Sequence, residues 1–343
     1  MVEKIWSGNE PYIIAEVAQN HDGSLGQAHA FIDAVSKTGA DAIKFQTHIA
    51  DEESTIYEPF RVNFSYEDKC RYDYWKRMEF TEEQWRGLFE HANDVGLDFL
   101  SSPFSIKALE MLDRIGVEAW KFGSGEVFNE ILLDKAIETG KPILLSTGLS
   151  TYNEIDKQIQ RIREKGNKFI LFQCVTAYPS TADLIDIELI PKFIEKYRCK
   201  AGISDHSATI FPSLAAITLG AMAVEVHVTM SPYMFGPDVK ASVDMEQLKE
   251  IVQGAKFITQ MKSVHVDMSE RTLERNNLKE MFSKSLYAIK DLAKGMVISP
   301  ELFTAKKPNI AIDANDLKLY VGKRIKKSIK KDNPLKMEDI DLE

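Results

Sequence analysis

The residues with the most chemical potential in this chain are ionisable groups set inside short apolar runs. Glu16 lies in YIIAEVA, residues 12–18. Lys44 and Gln46 sit two apart in AIKFQT, and Lys121 in AWKFG is followed by Ser124. Ser146 falls near the end of PILLST, Ser204 and His206 near the end of AGISDH, and Glu225 and His227 share AVEVHVT. A charge buried without a partner is expensive, so each of these groups needs a partner or a task. Lys44 and Lys121 would supply fixed positive charge. Ser124, Ser146 and Ser204 would supply hydroxyls, and backbone N–H groups near Gly123 and Gly148 could add to them. Such a set suits a small, multiply anionic ligand such as a phosphorylated carboxylate. The Gly-Ser-Gly at 123–125 adds little, being a common turn. Two histidines with water or a carboxylate suit Mn²⁺, Fe²⁺ or Zn²⁺; the alternative for His206 and His227 is two unrelated rings bonded to backbone. His21 is a further candidate beside this group. His29, His48, His91 and His265 fall on predicted helices or loops and are expected to be surface or packing residues.

These groups need elements that bring them together. Eight strand-like runs recur at Tyr12–Ala18, Ala42–Thr47, Asp98–Ser102, Ala119–Gly123, Pro142–Thr147, Lys168–Cys174, Ala201–Asp205 and Ala223–Thr229. Amphipathic stretches follow them, among them Leu25–Lys37, Glu82–Val95, Ile106–Ile115, Tyr152–Lys165 and Met245–Met261. Strand–helix alternation predicts a parallel sheet. Eight βα units in about 260 residues predict an α/β fold of the (β/α)₈ TIM-barrel type. An open doubly wound sheet is the runner-up, but no G-x-G-x-x-G follows the first strand. Side chains alternate along strands, so residues of like parity share a face. Six strands carry their polar groups near the C-terminal end, where barrel enzymes keep their active sites. Adjacent strands lie about 5 Å apart, so His206 and His227 can reach one ion, with Glu16 next door if the first strand closes on the eighth.

The composition bounds the rest. The chain has 343 residues, 44% hydrophobic and 28% charged, with a net charge of −9. That excludes a nucleic-acid coat and a standing binder of anionic membrane. Cys70, Cys174 and Cys199 are odd in number and widely spaced, so neither a disulfide framework nor a zinc knuckle is expected. No apolar run approaches the roughly 20 residues that span a bilayer, and the N-terminus lacks a signal pattern. Cytoplasmic residence is therefore expected. Residues 48–80 are rich in aromatics, and are read as a lid or interface or as a helical insertion packed on itself. Past Met261 the chain turns polar and irregular. Residues 284–343 carry 13 basic and 9 acidic groups, against an acidic remainder. The expected organisation is a barrel at 1–262, a linker at 263–283, and a small β-rich domain at 284–343.

The runs IAEVAQNHDG (14–23), KFQT (44–47), KFGSGE (121–126), LSTG (145–148), SDH (204–206), EVHVT (225–229) and GPD (236–238) fall together in one order. In this the chain resembles the sialic acid synthase family, the N-acetylneuraminate, legionaminate and pseudaminate synthases. The tail, with SLYA (285–288) and DLAKG (291–295), resembles that family's antifreeze-like (SAF) domain. The resemblance implies condensation of phosphoenolpyruvate with an N-acylated hexosamine and water, giving a nine-carbon 2-keto acid and phosphate through C–O cleavage. By position it implies phosphoenolpyruvate contacts at Lys44, Ser102, Lys121, Ser124, Ser146, Thr176 and Ser204. It implies metal ligation by His206 and His227, with Mn²⁺ foremost and Mg²⁺ or Co²⁺ as alternatives. Acceptor-sugar contacts would come from Glu16, Gln46, Tyr178, Asp238 and Lys307. Glu16, Glu126 and His227 would take the catalytic roles. A domain-swapped homodimer is implied, in which one chain's tail reaches the partner's site.

Three positions depart from the family pattern. Thr176 stands where asparagine is frequent, and Val226 stands inside the usual Glu-Arg-His. Lys306-Lys307-Pro308-Asn309 replaces Lys-Arg-Pro-Gly. Lys307 keeps the charge of that arginine but not its bidentate fork. Competing readings are a metal-dependent aldolase or hydrolase on the same barrel, or a non-catalytic sugar-binding protein. Phosphate release from phosphoenolpyruvate separates the first reading from both.

Overall fold

The computed structural model describes residues 2–267 and 273–342. The chain divides into two compact units, Met1–Val264 and His265–Glu343. After a short helix α1 (Lys4–Ser7), strands and helices alternate. The order is β1 (Tyr12–Ala18), α2 (Leu25–Ser36), β2 (Ala42–Thr47), α3 (Ala50–Glu53), α4 (Arg71–Met78) and α5 (Glu82–Asp94). Then come β3 (Asp98–Pro103), α6 (Ile106–Ile115), β4 (Trp120–Phe122), α7 (Glu130–Glu138), β5 (Ile143–Ser146), α8 (Tyr152–Glu164) and β6 (Phe169–Cys174). The unit closes with α9 (Leu189–Tyr197), β7 (Lys200–Asp205), α10 (Phe211–Thr218), β8 (Ala223–His227) and α11 (Met245–Ser263). All eight predicted strands form, several of them trimmed at their ends. The sheet is parallel, in the order β3-β2-β1-β8-β7-β6-β5-β4, with β3 and β4 as neighbours at its two ends. It is an eight-stranded barrel, the expected TIM-barrel fold.

Local sequence sets the helix starts. Thr81, Thr151 and Asp244 cap α5, α8 and α11, each reciprocated by a side chain three residues on. Such boxes satisfy backbone donors that a helix leaves open at its N-terminus.

Strand alternation then sorts the side chains. Ile13, Ala15, Ile43, Phe45, Phe99, Leu145, Leu171, Ile203, Val224 and Val226 join the helices in the larger apolar core. The opposite parity builds a second core, with Tyr12, Ile14, Ala42, Leu100, Leu144, Ile170, Phe172 and Ala223. Val2 and Ile5 join this second core, so α1 plugs the N-terminal end of the barrel. Gly202 sits where β7 and β8 approach Phe172: a Cβ there would lie 2.5 Å from the Ala223 carbonyl oxygen and 3.0 Å from the Phe172 ring. The missing side chain is what lets that ring fill the interior. Further toward the strand C-terminal ends, the same inward parity becomes polar.

The 48–80 connection forms α3 and α4 around its own small core of Ala50, Tyr74, Trp75 and Met78, with Phe60, Phe64 and Tyr72 against it. It is thus an insertion packed on its aromatics. It also reaches the barrel mouth, as described below.

In the second unit, α12 (Leu273–Phe282) precedes β9 (Ser285–Ala288) and β10 (Phe303–Lys306), which pair antiparallel. After α13 (Leu317–Tyr320), β11 (Arg324–Ile325) and β12 (Ile340–Asp341) form a second antiparallel pair. Leu286, Leu292, Ile298, Leu302, Phe303, Ile325 and Leu335 lie in its own core. The stretch expected as an irregular linker, 263–283, is largely helical at its C-terminal half; residues 268–272 lie outside the described ones.

Candidate active site

The polar groups of the barrel mouth descend directly from strand register. Glu16 pairs with Lys44 on one side and His227 on the other, Gln46 with Ser102, and Ser204 with Glu225. Lys121 enters from β4 and Ser146 from β5. A bulge between Glu16 and Ala18 ends the β1–β2 ladder, and Ala18 takes a left-handed φ of 47°. Only a well-supported backbone holds a non-glycine residue there, and the chain then turns Gln19, Asn20 and His21 off the strand.

Four charges share the centre. Lys44 Nζ lies 2.5 Å from Glu16 Oε2 and 3.9 Å from Glu225 Oε2, and Lys121 Nζ lies 3.4 Å from Glu225 Oε1. All four side chains are buried. Two positive and two negative groups cancel, which is the condition for ionised groups to survive out of water. Hydroxyls complete the set. Lys44 Nζ donates to Ser102 Oγ at 3.2 Å, Lys121 Nζ to Ser146 Oγ at 2.6 Å, and Ser204 Oγ to Glu225 Oε1 at 2.9 Å. Burial pushes the Glu16 carboxyl up to about 7, against the pull of Lys44. Glu225 is also pushed up by burial, but Lys121 and Lys44 outweigh this and hold it below the usual carboxylate range. Burial lowers the Lys121 ammonium.

Beside the lysines lies a small cradle. The Gly148 N–H donates to Ser124 Oγ at 3.0 Å. A Cβ at Gly148 would stand 2.7 Å from Thr176 Oγ1 and 2.8 Å from Ser124 Oγ. Thr176 Oγ1 itself is buried without a hydrogen-bond partner. The cradle thus holds hydroxyl groups turned into a space that a side chain would fill.

His206 and His227 end adjacent strands, their ring centroids 5.0 Å apart. The Nδ1 of His206 lies 2.7 Å from the Val175 carbonyl oxygen, which makes it the donor and leaves Nε2 as a lone pair. The Nδ1 of His227 is buried without a partner. Burial lowers His206 to about 4 and His227 well below its ordinary value, so both rings are neutral. Neutral imidazoles with open lone pairs, one of them oriented by a carbonyl, fit a divalent ion. Among the described residues no cluster of three or more His, Cys, Asp or Glu offers a metal site.

The acceptor-side candidates gather above this floor. Tyr178 places its ring 4.2 Å from that of His206 and 5.8 Å from that of His227. The Arg61 guanidinium, from the aromatic insertion, stands 5.0 Å over the Tyr178 ring. Asp238 accepts the Gln19 backbone N–H at 3.3 Å, and burial raises its carboxyl. Gln46 Nε2 donates to Glu16 Oε1 at 2.9 Å. Glu126 lies past β4, accepts from Asn129 at 3.0 Å, and is raised by burial. Lys307 belongs to the second unit, where its ammonium stands 4.1 Å over the Phe282 ring.

Some sequence expectations change. His21 is not with this group: it is fully buried between Phe45 and Phe80, behind the barrel wall. Val226 faces the helix layer, so the arginine missing at that position would not have pointed into the barrel. His48 is no ordinary loop residue, because it is buried and bonded toward Glu16 through Gln19 and Gln46. Glu225 bridges both lysines, a part that its shared parity with His227 could have signalled. Glu53, Gln19 and Cys174 were not visible by spacing; Cys174 accepts the Ser124 hydroxyl at 3.4 Å.

Fold and site together place the protein among barrel enzymes that keep their chemistry at the strand C-terminal ends. It belongs to the NeuB family, whose model matches residues 31–267, and residues 283–341 match a SAF domain. It is 31% identical to the pseudaminic acid synthase of Helicobacter pylori, over 96% of this chain and 98% of that protein. It is 30% identical to the N,N'-diacetyllegionaminic acid synthase of Campylobacter jejuni, over 93% of this chain and 97% of that protein. Among solved structures, the N-acetylneuraminic acid (sialic acid) synthetase from Leptospira borgpetersenii, in complex with citrate, is similar with a TM-score of 0.70. That match is 29% identical and covers 79% of this chain and 92% of that one. No helix of the described residues is long and apolar enough to cross a membrane.

Proposed function

We propose that the protein condenses phosphoenolpyruvate with an N-acylated hexosamine and water, yielding a nine-carbon 2-keto acid and phosphate. The observation that carries this reading is the pair of buried lysines, each held by a serine hydroxyl at the strand C-terminal ends. The names of the relatives supply the substrate class. Lys44 and Lys121 would bind the phosphate and carboxylate, with Ser102, Ser124, Ser146, Thr176 and Ser204 adding hydroxyl contacts. The anions then meet preorganised donors in a site of low dielectric.

As C3 of phosphoenolpyruvate bonds to the aldehyde carbon of the open-chain sugar, the aldehyde oxygen gains charge and needs a proton. Glu16, raised by burial to about 7, can give one at neutral pH. Cationic character is left at C2. Water adds there, and the tetrahedral intermediate expels phosphate by C–O cleavage. Glu126, past β4 and raised by burial, would serve a second proton transfer. Gln46, Tyr178 and Asp238 would orient the sugar, and His206 and His227 would hold a divalent ion, Mn²⁺ foremost with Mg²⁺ or Co²⁺ as alternatives. When bound, such an ion polarises the acceptor aldehyde as a Lewis acid.

The same reading extends to the assembly: a homodimer in which the second unit completes the partner's acceptor site, with Lys307 as its cation. A reduced, cytoplasmic setting goes with this reading, the three cysteines being odd in number and widely spaced. The test is phosphate release from phosphoenolpyruvate with Mn²⁺ and a panel of N-acylated hexosamines, products identified by mass. A nine-carbon 2-keto acid matching the phosphate released establishes the reaction. No release from folded, metal-loaded protein with any sugar refutes it.

A further inference from the structure

We propose that Glu53 and His48 form a tautomer clamp that orients the Gln19 and Gln46 amides against Glu16. The consequence for turnover rests on the reaction proposed above; the hydrogen-bond chain does not. His48 lies just past β2, buried, with its ring stacked between Trp75 and Phe104. The centroids are 4.0 and 4.4 Å away and the planes within 12° and 14° of parallel. The ring therefore cannot tilt without displacing an aromatic neighbour.

Its two nitrogens meet partners of opposite kind. Nδ1 lies 2.5 Å from Glu53 Oε1, and a carboxylate oxygen accepts. Nε2 lies 2.7 Å from Gln19 Nε2, an amide nitrogen that only donates, and at a longer 3.4 Å from the Gln46 Oε1 acceptor. Both ends select the neutral ring with its proton on Nδ1. A proton on Nε2 would face the Gln19 N–H at 2.7 Å, donor against donor, with only the Gln46 oxygen at 3.4 Å to take it, so the shorter contact favours Nδ1–H. The other Gln19 N–H goes to Gln46 Oε1 at 3.0 Å. With its oxygen so engaged, Gln46 turns its nitrogen to Glu16 Oε1 at 2.9 Å.

The polarity set at Glu53 thus passes through one imidazole and two amides to Glu16. Released from it, the amides can turn over and present the Gln46 oxygen to Glu16, where it opposes the ionised form and ties up the proton of the protonated form. Glu53 and His48 are positioning residues, since neither touches Glu16 directly.

The experiment uses the full chain with ¹⁵N-labelled histidine, the His48 signal being assigned from His48→Gln. At pH 7.5 wild-type His48 is expected as the neutral Nδ1–H tautomer, and Glu53→Gln is expected to admit the Nε2–H form. In the phosphate-release assay, Glu53→Gln and His48→Leu should lower kcat/KM for the acceptor about 10- to 100-fold, the usual cost of losing an orienting partner. The KM for phosphoenolpyruvate should stay within about twofold, because the lysine side of the site is unchanged. His48→Gln, whose amide oxygen can accept the same Gln19 N–H, should hold kcat/KM within about threefold of wild type. Wild-type His48 carrying its proton on Nε2 overturns the clamp, as does His48→Leu turning over at the wild-type rate. If wild type releases no phosphate with any sugar, the proposed reaction fails, and the tautomer spectra still decide the clamp.

Discussion

Lys121 shows what burial does to a single residue here. It is 1% exposed, and its ammonium is shared between Ser146 and Glu225. Lys121→Met keeps the length but removes the charge that Glu225 faces. Breaking such a pair costs about 3–5 kcal/mol, softened here because Lys44 also faces Glu225. The variant should lose phosphoenolpyruvate binding in calorimetry and unfold at lower urea; tight binding retained would refute the anion role of this lysine. At the histidines, His206→Ala and His227→Ala should each weaken Mn²⁺ binding about tenfold or more, read by calorimetry on folded protein. Unchanged affinity in both variants would remove them as ligands.

His21 gives a prediction of a different kind. Burial pushes its imidazole down to about 3, whereas the unfolded chain restores a value near 6.5. The unfolded state therefore binds a proton that the native state refuses, and stability from this residue falls as pH drops from 6.5 toward 3. The slope is at most about 1.4 kcal/mol per pH unit. In urea unfolding at pH 7.5 and pH 5, His21→Asn should show a shallower loss of stability than wild type. An equal loss would mean that His21 is not buried neutral.

At the scale of elements, the loops between strands and helices decide what the strand ends can hold. Gly148, just past β5, has no positive φ, so its need for glycine is spatial. Gly148→Ala puts a methyl group within 3 Å of both Thr176 and Ser124. The expected result is a phosphoenolpyruvate KM raised about tenfold or more, since contact positions shift while folding does not; unchanged kinetics would show the cradle to be empty of substrate. The insertion carrying α3 and α4 plays the opposite part. Its aromatics pack mainly on one another, and its placement is set by Arg61 over Tyr178, Arg77 on Asp22, and Phe64 and Tyr66 against Phe235.

For the whole molecule, the two units have separate apolar cores. The barrel unit should therefore fold without the other. Deleting the residues after Lys279 is expected to leave a cooperative thermal transition and a native circular-dichroism spectrum while abolishing phosphate release. Full turnover by the shortened chain would show that the second unit takes no part in the reaction.

Much of this was legible in one dimension. Apolar runs with like-parity polar residues announced eight strands, and their lengths and intervals implied a closed parallel barrel. Lys44, Lys121, Glu225 and His227 stood out because an ionisable group in an apolar strand must be explained. His48, Glu53 and Gln19 did not, because loop residues carry no parity and their partners lie on other elements. For the same reason His21, two residues past Gln19, looked like a site residue until the bulge at Ala18 turned it behind the wall. Periodicity is a property of the chain alone, so sequence determined the strands and the faces they present. Which polar atoms meet depends on register between strands and on the path of irregular backbone, and those only the tertiary structure decided.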